Sequence, residues 1–393
     1  MIPPNRRRTV PVNVGGVVIG GAAPVSVQTM TKTQTEDVRG TLAQIERAAA
    51  AGADIVRVTC DTPEAGVALR EIVANSPVPI VADIHYDAPL ALRALEAGIA
   101  CLRLNPGNIS DPAKVGDIAR EAKARNVPIR IGVNAGSIPQ RKDLERGRGG
   151  SVEEAAQNMV DAAMHHIRIL EELDFTAIKV SLKASDVPTN LAANRYFASL
   201  DKPYPLHLGL TEAGPVESGS VKSAMGIGIL LAEGIGDTIR VSLVGDPADE
   251  VRVGRQILAN LEEKGSGPNL IACPTCGRLE IDMFPMVARV EEALQKVRRS
   301  INVAVMGCVV NGPGEGMHAD IGIAGGRQKG ILYKGGKVIA SLPEAELIAA
   351  LLRELDAIAD EDARLLAEGK PLPDGLGEAE AGAALTPVPM AQR

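Results

Sequence analysis

Between residues 24 and 259 the chain repeats one pattern of apolar and polar positions. A short run rich in β-branched residues is followed by a polar turn and then by a stretch rich in Ala, Leu and Glu. The short run predicts a buried strand, and the longer stretch predicts a helix. Eight such runs occur, namely VSVQTM, DIVRVTC, PIVADIHY, CLRLNPG, IRIGVNAG, AIKVSLKASD, LHLGLTEAG and TIRVSLVGDP. Predicted helices include residues 36–51, 63–75, 112–125, 152–173, 217–232 and 247–262.

Alternating strands and helices predict parallel βαβ units, and eight of them in about 240 residues match the size of a closed (βα)8 TIM-type barrel. An open doubly wound sheet is the alternative. The first strand is not followed by a G-x-G-x-x-G motif, which disfavours a dinucleotide-binding version of that sheet. We therefore predict an α/β fold with a TIM-type barrel.

The chain outside the repeat predicts three further features. The segment TVPVNVGGVVIGG reads as a hairpin turning at Gly15 and Gly16, which could cover the bottom of the barrel. The Gly-rich segment EEKGSGPN separates a substrate-binding barrel, residues 1–264, from a small α/β domain, residues 265–360. That domain contains a predicted helix at residues 285–299 and a strand NVAVMG. Residues 361–393 are rich in Pro, Ala and Glu and predict a partly disordered tail.

Composition and sequence pattern disfavour some binding partners and some cellular locations. The net charge is −7, aromatic residues make up 2% and Trp is absent, which argues against nucleic acid as a partner. The basic N-terminus lacks the apolar region of a secretory signal, and no apolar run approaches the roughly 20 residues that span a bilayer. We expect a cytoplasmic protein whose cysteines stay reduced.

Strand parity predicts which side chains face the barrel interior. Successive side chains of a strand point to opposite faces, and the aliphatic face of each run should lie under the helices. The other face points inward and consists of Ser26, Gln28, Arg57, Thr59, Asp83, His85, Arg103, Asn105, Arg130, Gly132, Asn134, Lys179, Ser181, Lys183, His207, Thr211, Arg240 and Ser242.

This interior is unusual because five of the eight strands place Arg or Lys in it. Several unpaired cations buried together would be costly unless an anion compensates them. A bound polyanion such as a phosphorylated metabolite is one explanation, since Arg donates bidentate hydrogen bonds to phosphate oxygens. The alternative is that some of the cations pair with Asp54, Asp83 or Glu212.

Three cysteines in the second region predict a metal site. Cys273 and Cys276 lie in CPTCGR, and Cys308 lies in MGCVVNGPGE, whereas Cys60 and Cys101 belong to apolar runs and read as core residues. With His318 the three thiols could form a Cys3His zinc site. The glycines around Cys308 also suit the backbone approach that an iron-sulfur cluster needs. The spacing leaves both metals open.

Specific motifs resemble those of the bacterial 4-hydroxy-3-methylbut-2-enyl diphosphate synthases of the methylerythritol phosphate route to isoprenoids. The resemblance covers about residues 9 to 355 and fits the short, two-domain form of the family. The motifs that carry it are QTMT, VADIHYD, LRLNPGN, GVNAGS, SLKASD, LGLTEAG, RVSLVGDP, CPTCGR and MGCVVNGPGE.

The resemblance implies a function and a ligand set. It implies reduction of 2-C-methyl-D-erythritol 2,4-cyclodiphosphate, in which the ring opens and a hydroxyl leaves as water, with two electrons delivered through a [4Fe-4S] cluster. It implies Glu315 as the fourth cluster ligand beside the three cysteines, leaving His318 without a metal. It further implies flavodoxin or ferredoxin as electron donor, and a head-to-tail homodimer.

The residues and the resemblance together predict which side chains bind substrate and which one transfers a proton. Glu212 follows the seventh strand, where barrel enzymes place catalytic groups, and is expected to be the acid/base group. Contacts to substrate are expected from Arg57, Arg103, Arg130, Asn134, Lys183, Arg240 and Ser242, and also from Asp83, His85 and Asn311. The alternative is a zinc-stabilised barrel protein that binds a phosphorylated metabolite without redox chemistry.

Overall fold

The computed structural model describes residues 6–84, 87–105, 109, 111–137, 150–261, 267–308, 314, 316 and 318–376. The chain divides into two compact units, Met1–Leu261 and Glu262–Arg393, close to the boundary that the Gly-rich segment suggests. Each unit has its own hydrophobic core. Within the described ranges, no helix is both long and apolar enough to cross a membrane.

The first unit is a barrel of eight parallel strands, as predicted. The hydrogen-bonded order is β8-β7-β6-β5-β4-β3-β10-β9, and a parallel bridge between Val180 and Leu206 joins the two ends. The amide of Val180 donates to the Pro205 carbonyl at 2.9 Å at this junction. The strands are β3 Ser26–Met30, β4 Ile55–Cys60, β5 Ile80–Ile84, β6 Cys101–Leu104, β7 Ile129–Asn134, β8 Ile178–Lys183, β9 His207–Leu208 and β10 Thr238–Ile239.

A helix follows each barrel strand, and several of these helices begin at a polar cap. Thr62, Asp186 and Asp246, for example, each accept a hydrogen bond from an amide in the first turn, which satisfies a donor that the helix leaves free. The helices are α1 Val38–Ala50, α2 Pro63–Asn75, α3 Ala88–Glu96, α4 Pro112–Ala124, α5 Val152–Glu172, α6 Val187–Ser199, α7 Val216–Ala232 and α8 Pro247–Asn260.

The predicted hairpin closes the bottom of the barrel. It consists of β1 Val12–Val14 and β2 Val17–Ile19, with its turn at residues 15–16. Its apolar side chains pack against Ile55 and Cys101, the first residues of β4 and β6.

Cys101 and Cys60 are both fully buried, so the interpretation of these two thiols as core residues is confirmed.

The second unit is a five-stranded mixed sheet in the order β11-β12-β13-β14-β15. The first three strands are parallel, and the last two run antiparallel to their neighbours. Two helices share the apolar core of the unit with one face of the sheet. The elements are β11 Asn269–Ala272, α9 Met283–Leu294, β12 Asn302–Met306, β13 Ile321–Ala324, β14 Gly330–Lys334, β15 Lys337–Leu342 and α10 Glu344–Ala367.

One prediction in this unit, the end of its first helix, needs correction. The helix predicted at residues 285–299 ends at Leu294, and the chain then brings Arg299 to Asp362, with Nε 2.6 Å from Oδ1. Both side chains are fully buried, so Asp362 anchors α10 beyond residue 360, where the tail was predicted to begin. Leu376 also joins the core. Residues 377–393 of the predicted tail lie outside the described residues.

Candidate functional site

A cavity of about 440 Å³ opens at the C-terminal ends of the barrel strands. Its lining includes the last residues of β7 and β8, Asn134 and Lys183, together with residues of the loops that follow β9 and β10. The prediction that cations of the barrel strands face inward is confirmed for the five that line the cavity, Arg57, Arg103, Arg130, Lys183 and Arg240. Of the described lining residues, the acidic ones are Asp83, Glu212 and Glu250, and the basic ones are Lys32, Arg57, Arg103, Arg130, Lys183 and Arg240.

Asp83 pairs with two of these cations. Its carboxylate lies 2.8 Å from Arg103 Nη1 and 3.5 Å from Arg57 Nε. Arg103 also donates to the carbonyl of Gly132 at 3.0 Å. A Cβ on residue 132 would lie only 2.6 Å from Arg103 Nε, so the glycine makes room for this guanidinium. Of the pairings that the sequence left open, the one with Asp83 is therefore present.

Glu250 holds two further cations and was missed by the sequence analysis. From the first turn of α8 its buried carboxylate lies 3.2 Å from Arg240 Nη2 and 3.3 Å from Lys32 Nζ. It also accepts hydrogen bonds from Thr29 Oγ1 at 2.7 Å and from the Leu243 amide at 3.0 Å. An acid in a first helical turn is ordinary, because it complements the helix dipole. Nothing in its sequence position therefore marked it as part of the pocket.

Arg130 and Lys183 form no ion pair or side-chain hydrogen bond with any residue in the described part of the chain. Burial lowers the pKa of Lys183 well below its usual value, and repulsion from Arg130 and Arg240 adds to the effect. Burial, with repulsion from Arg57 and Arg103, likewise lowers the pKa of Arg130. An anion in the cavity would relieve this repulsion, which makes these two groups the strongest candidates for binding it.

Apart from Glu212, the remaining predicted residues fall into four groups. Asn134 and Ser242 line the cavity, and Ser242 Oγ accepts a hydrogen bond from Arg240 at 2.5 Å. Lys179 lies deeper in the barrel, where burial lowers its pKa to about 8. Asp54 pairs with Arg255 at 2.8 Å instead of with an inward cation. His85, Asn311 and Glu315 lie outside the described residues.

Glu212 lies at the cavity in a strained backbone conformation. It has a φ of +54°, a left-handed value that is uncommon for any residue except glycine. Its side chain is exposed and lines the cavity without a hydrogen bond or ion pair to another described residue. Non-glycine residues held at such angles often occur at functional sites. Glu212 thus lies in the cavity lining in a backbone conformation that few residues other than glycine adopt.

The three cysteines of the second unit lie around one edge of its sheet. Strands β11 and β12 are parallel, with Ala272 opposite Val305, and the Cys273 amide donates to the Val305 carbonyl at 2.9 Å. Cys308 follows β12 by two residues, so both thiols lie beyond the C-terminal ends of neighbouring strands. Cys276 belongs to the exposed loop after β11.

The positive charge of Arg278 interacts with all three of these cysteines. Its amide lies 3.5 Å from Cys276 Sγ, and hydrogen bonds from this amide and from the Arg278 side chain lower the pKa of the Cys276 thiol. The pKa of Arg278 is raised chiefly by Cys276, and also by Cys308 and Cys273. The thiolate is the form that binds metal, so this arrangement favours metal ligation.

The donor types of the second unit suit either an iron-sulfur cluster or a single zinc ion. Iron-sulfur clusters take thiolate ligands, and Cys273, Cys276 and Cys308 follow strand ends or lie in a loop. A structural zinc ion would need His318, which is exposed, as a fourth ligand beside the three thiols. Among the described residues, no group of three His, Cys, Asp or Glu side chains is already placed to hold a metal ion.

The fold and the site define a class of protein, a TIM barrel with a cationic pocket joined to a cysteine-bearing α/β domain. The profile of the GcpE TIM-barrel domain matches residues 9–255, and that of the GcpE protein C-terminal domain matches residues 269–357. The chain belongs to the GcpE family.

Curated relatives agree with this assignment. A protein of Magnetococcus marinus is 51% identical over 356 residues, which cover 91% of this chain and 94% of the relative. Relatives from Geobacter sulfurreducens and Dehalococcoides mccartyi are each 52% identical over 90% of this chain and cover 98% and 99% of their own lengths. All three are named 4-hydroxy-3-methylbut-2-en-1-yl diphosphate synthase (flavodoxin). The resemblance inferred from the motifs is thereby confirmed.

Proposed function

We propose that the chain catalyses the reductive ring opening and dehydroxylation of 2-C-methyl-D-erythritol 2,4-cyclodiphosphate to 4-hydroxy-3-methylbut-2-enyl diphosphate. The names of relatives about 50% identical over 90% of the chain support this function and its class, an oxidoreductase of isoprenoid precursor synthesis. The observation that carries the proposal in the structure is the cationic cavity, because a cyclic diphosphate is a polyanion of the kind it would bind.

The charges in the cavity support a division of roles toward this substrate. Arg130 and Lys183, which pair with no described carboxylate, would bind the phosphate oxygens first. Arg57, Arg103 and Arg240 are held in place by Asp83 or Glu250 and would donate their remaining hydrogen bonds. We assign further contacts to Asn134 and Ser242, and contacts to hydroxyl groups to Asp83, His85 and Asn311.

Glu212 is proposed as the acid/base group. Its carboxylate lines the cavity and is exposed, so it can exchange a proton with solvent and deliver it to the departing hydroxyl or to a carbanion. General acids of this kind must lie within hydrogen-bond reach of the reacting group. The left-handed backbone at Glu212 supports this role because residues other than glycine held at such angles are common at functional sites.

The second unit would hold the cofactor. We propose a [4Fe-4S] cluster with Cys273, Cys276 and Cys308 as three ligands and Glu315 as the fourth. When bound, the cluster supplies the two electrons of the reduction. A carboxylate is a harder and more exchangeable iron ligand than a thiolate, so Glu315 would hold its iron less firmly than the three cysteines hold theirs. We further propose flavodoxin, which the relatives' names include, as electron donor, and a head-to-tail homodimer. The cytoplasmic location stays a prediction.

Anaerobic purification followed by an assay tests the function. The protein should be brown, contain about four irons per chain if the cluster is of the [4Fe-4S] type, and convert the cyclodiphosphate when supplied with reduced flavodoxin. A colourless protein with one zinc per chain and no turnover would instead indicate the zinc-stabilised binding protein. The names of the curated relatives give that alternative no support.

Replacing Arg130 with Ala should weaken binding of the cyclodiphosphate by about 1 to 3 kcal/mol, the scale of a charge-assisted hydrogen bond. Folding should survive, because the deletion removes a buried cation that has no described carboxylate partner. Arg240→Ala is the matched comparison, since it should also weaken binding but leaves Glu250 with one cation fewer. Calorimetric titration of both variants measures the effect, and unchanged affinity in both would refute the substrate role of the inward cations.

A further inference from the structure

Lys183, the last residue of β8, reaches into the barrel cavity and is only 6% exposed. Its amino group lies against Gly209, the residue after β9. A Cβ on Gly209 would lie 2.7 Å from Lys183 Nζ and 3.3 Å from its Cε, so glycine leaves the space that the amino group occupies. Lys183 is thus held against the backbone of a neighbouring strand, and no carboxylate in the described part of the chain pairs with it.

The charged groups around Lys183 are mostly cations. Besides burial, repulsion from the four guanidinium groups in the cavity disfavours a positive charge on Lys183, namely those of Arg130, Arg240, Arg57 and Arg103. Deeper in the barrel, burial lowers the pKa of His207 of β9, and the charges of Lys183, Arg130 and Lys179 add to the effect.

The carboxylates of the cavity lining do not balance this charge. Asp83 and Glu250 each already hold two cations, and Glu212 is exposed to solvent. Lys32, the other lysine of the described lining, is partly exposed and lies 3.3 Å from Glu250 Oε1, which stabilises its charge. Lys183 has neither of these two means of stabilising an ammonium group.

The chemistry of the cations determines which of them can relieve the repulsion. A guanidinium group stays protonated in proteins, whereas a buried lysine shifts its pKa readily. Burial lowers the pKa of Lys183 well below its usual value. Keeping an unpaired charge buried is costly, and a group in that position loses its charge instead. Among the described cations of the cavity, the structure therefore favours Lys183 as the group that gives up its proton.

We propose that Lys183 is an uncharged amine in the free barrel and takes up a proton when a polyanionic ligand enters the cavity. A negative charge within about 4 to 6 Å favours the charged form of a lysine and opposes the effect of the neighbouring arginines. The inference rests on the proposed function, because it takes the cyclodiphosphate as the polyanion. It adds that substrate binding and proton uptake occur together.

The coupling predicts how affinity depends on pH. The bound anion raises the pKa of Lys183 above its value in the free protein, so binding is favoured at low pH and weakens as the pH rises through the free value. Between the free and the bound pKa, each pH unit should weaken binding by up to about tenfold. The cyclodiphosphate itself contributes no proton, because each of its phosphorus atoms carries one ester and one bridging oxygen and retains only a strongly acidic group.

Isothermal titration calorimetry of the anaerobically purified protein measures this coupling. Without an electron donor, the cyclodiphosphate binds but is not reduced. Titrations in buffers of different ionisation enthalpy, at several values between about pH 6 and pH 9, give the number of protons that the complex takes from the buffer. Ordinary carboxyl groups are ionised throughout this range. We expect a maximum of about one proton per bound cyclodiphosphate, with affinity falling as the pH rises.

Three variants assign the proton to its residue. Lys183→Met keeps the length of the side chain without an ionisable group, so it should bind more weakly, take up no proton and lose most of the pH dependence. Lys183→Arg is permanently charged and should bind without proton uptake. Lys179→Met is the matched control. It removes a neighbouring buried lysine of β8, whose pKa burial lowers to about 8, and proton uptake should persist in it.

The outcomes distinguish this inference from the function on which it rests. A protein that does not bind the cyclodiphosphate would refute both. If the unmodified protein binds it without proton uptake at every pH, or if uptake is unchanged in Lys183→Met, only the role of Lys183 is refuted. Uptake that disappears in Lys179→Met would refute it as well. Loss of uptake in both Lys183 variants, with Lys179→Met unaffected, supports it.

Discussion

Replacing Cys308 with Ser is expected to remove most of the iron from the protein and to abolish turnover. Cys308 is buried beyond the end of β12, and only two other thiols lie in the described part of the second unit. A Ser hydroxyl is a poor substitute for the thiolate that iron-sulfur clusters require. Since one-third of the thiolate ligands would be lost, assembly should fail. Cys273→Ser and Cys276→Ser should act in the same way.

Cys60→Ala and Cys101→Ala are the matched controls for this prediction. Both thiols are fully buried in the barrel unit, where burial raises their pKa and keeps them protonated. Their loss should leave iron content unchanged at a modest cost in stability. Iron analysis of the five anaerobically purified variants measures the result. Normal iron in the Cys308 variant would show that the cluster is not bound by these three thiols.

Glu315→Ala should leave a cluster that assembles but supports little turnover. Three thiolates would still hold three irons, whereas the fourth iron, deprived of its carboxylate, should be lost on exposure to air. His318→Ala should keep both cluster and activity, because the exposed imidazole contacts no metal in this assignment. The two variants therefore test the fourth ligand directly.

A zinc site would give the opposite result for the same pair of variants. His318→Ala would then lose metal and destabilise the second unit, since structural zinc contributes part of the folding free energy. Mössbauer spectra and metal analysis of both proteins distinguish the two outcomes. A Glu315→Ala protein with a normal cluster and normal turnover would contradict the assignment of Glu315.

The sequence predicted most of the cavity because strand parity is a local property. Arg57, Arg103 and Arg130 alternate with aliphatic residues in their strands, and alternation alone places them on the inner face once the helices cover the other face. The same reasoning could not find Glu250. Its position depends on how the first turn of α8 packs near the end of β10. The apolar and polar pattern of either segment alone does not predict that packing.

The second unit was less predictable for a related physical reason. Its sheet is mixed and short, so the repeating strand-helix pattern that identified the barrel is absent, and β11 and α10 were not predicted. The end of the unit depends on the buried pair of Arg299 and Asp362, residues about 60 positions apart whose pairing only the folded chain creates.

By itself the sequence determined the barrel, the division into two units, the inward cations and the three thiols, since each follows from local periodicity, composition or motif. The tertiary structure alone decided which charges neutralise each other. Asp83 and Glu250 each hold two cations, while Arg130 and Lys183 pair with no described carboxylate. Electrostatic energy depends on distance in space and on burial, and neither can be read from separation along the chain.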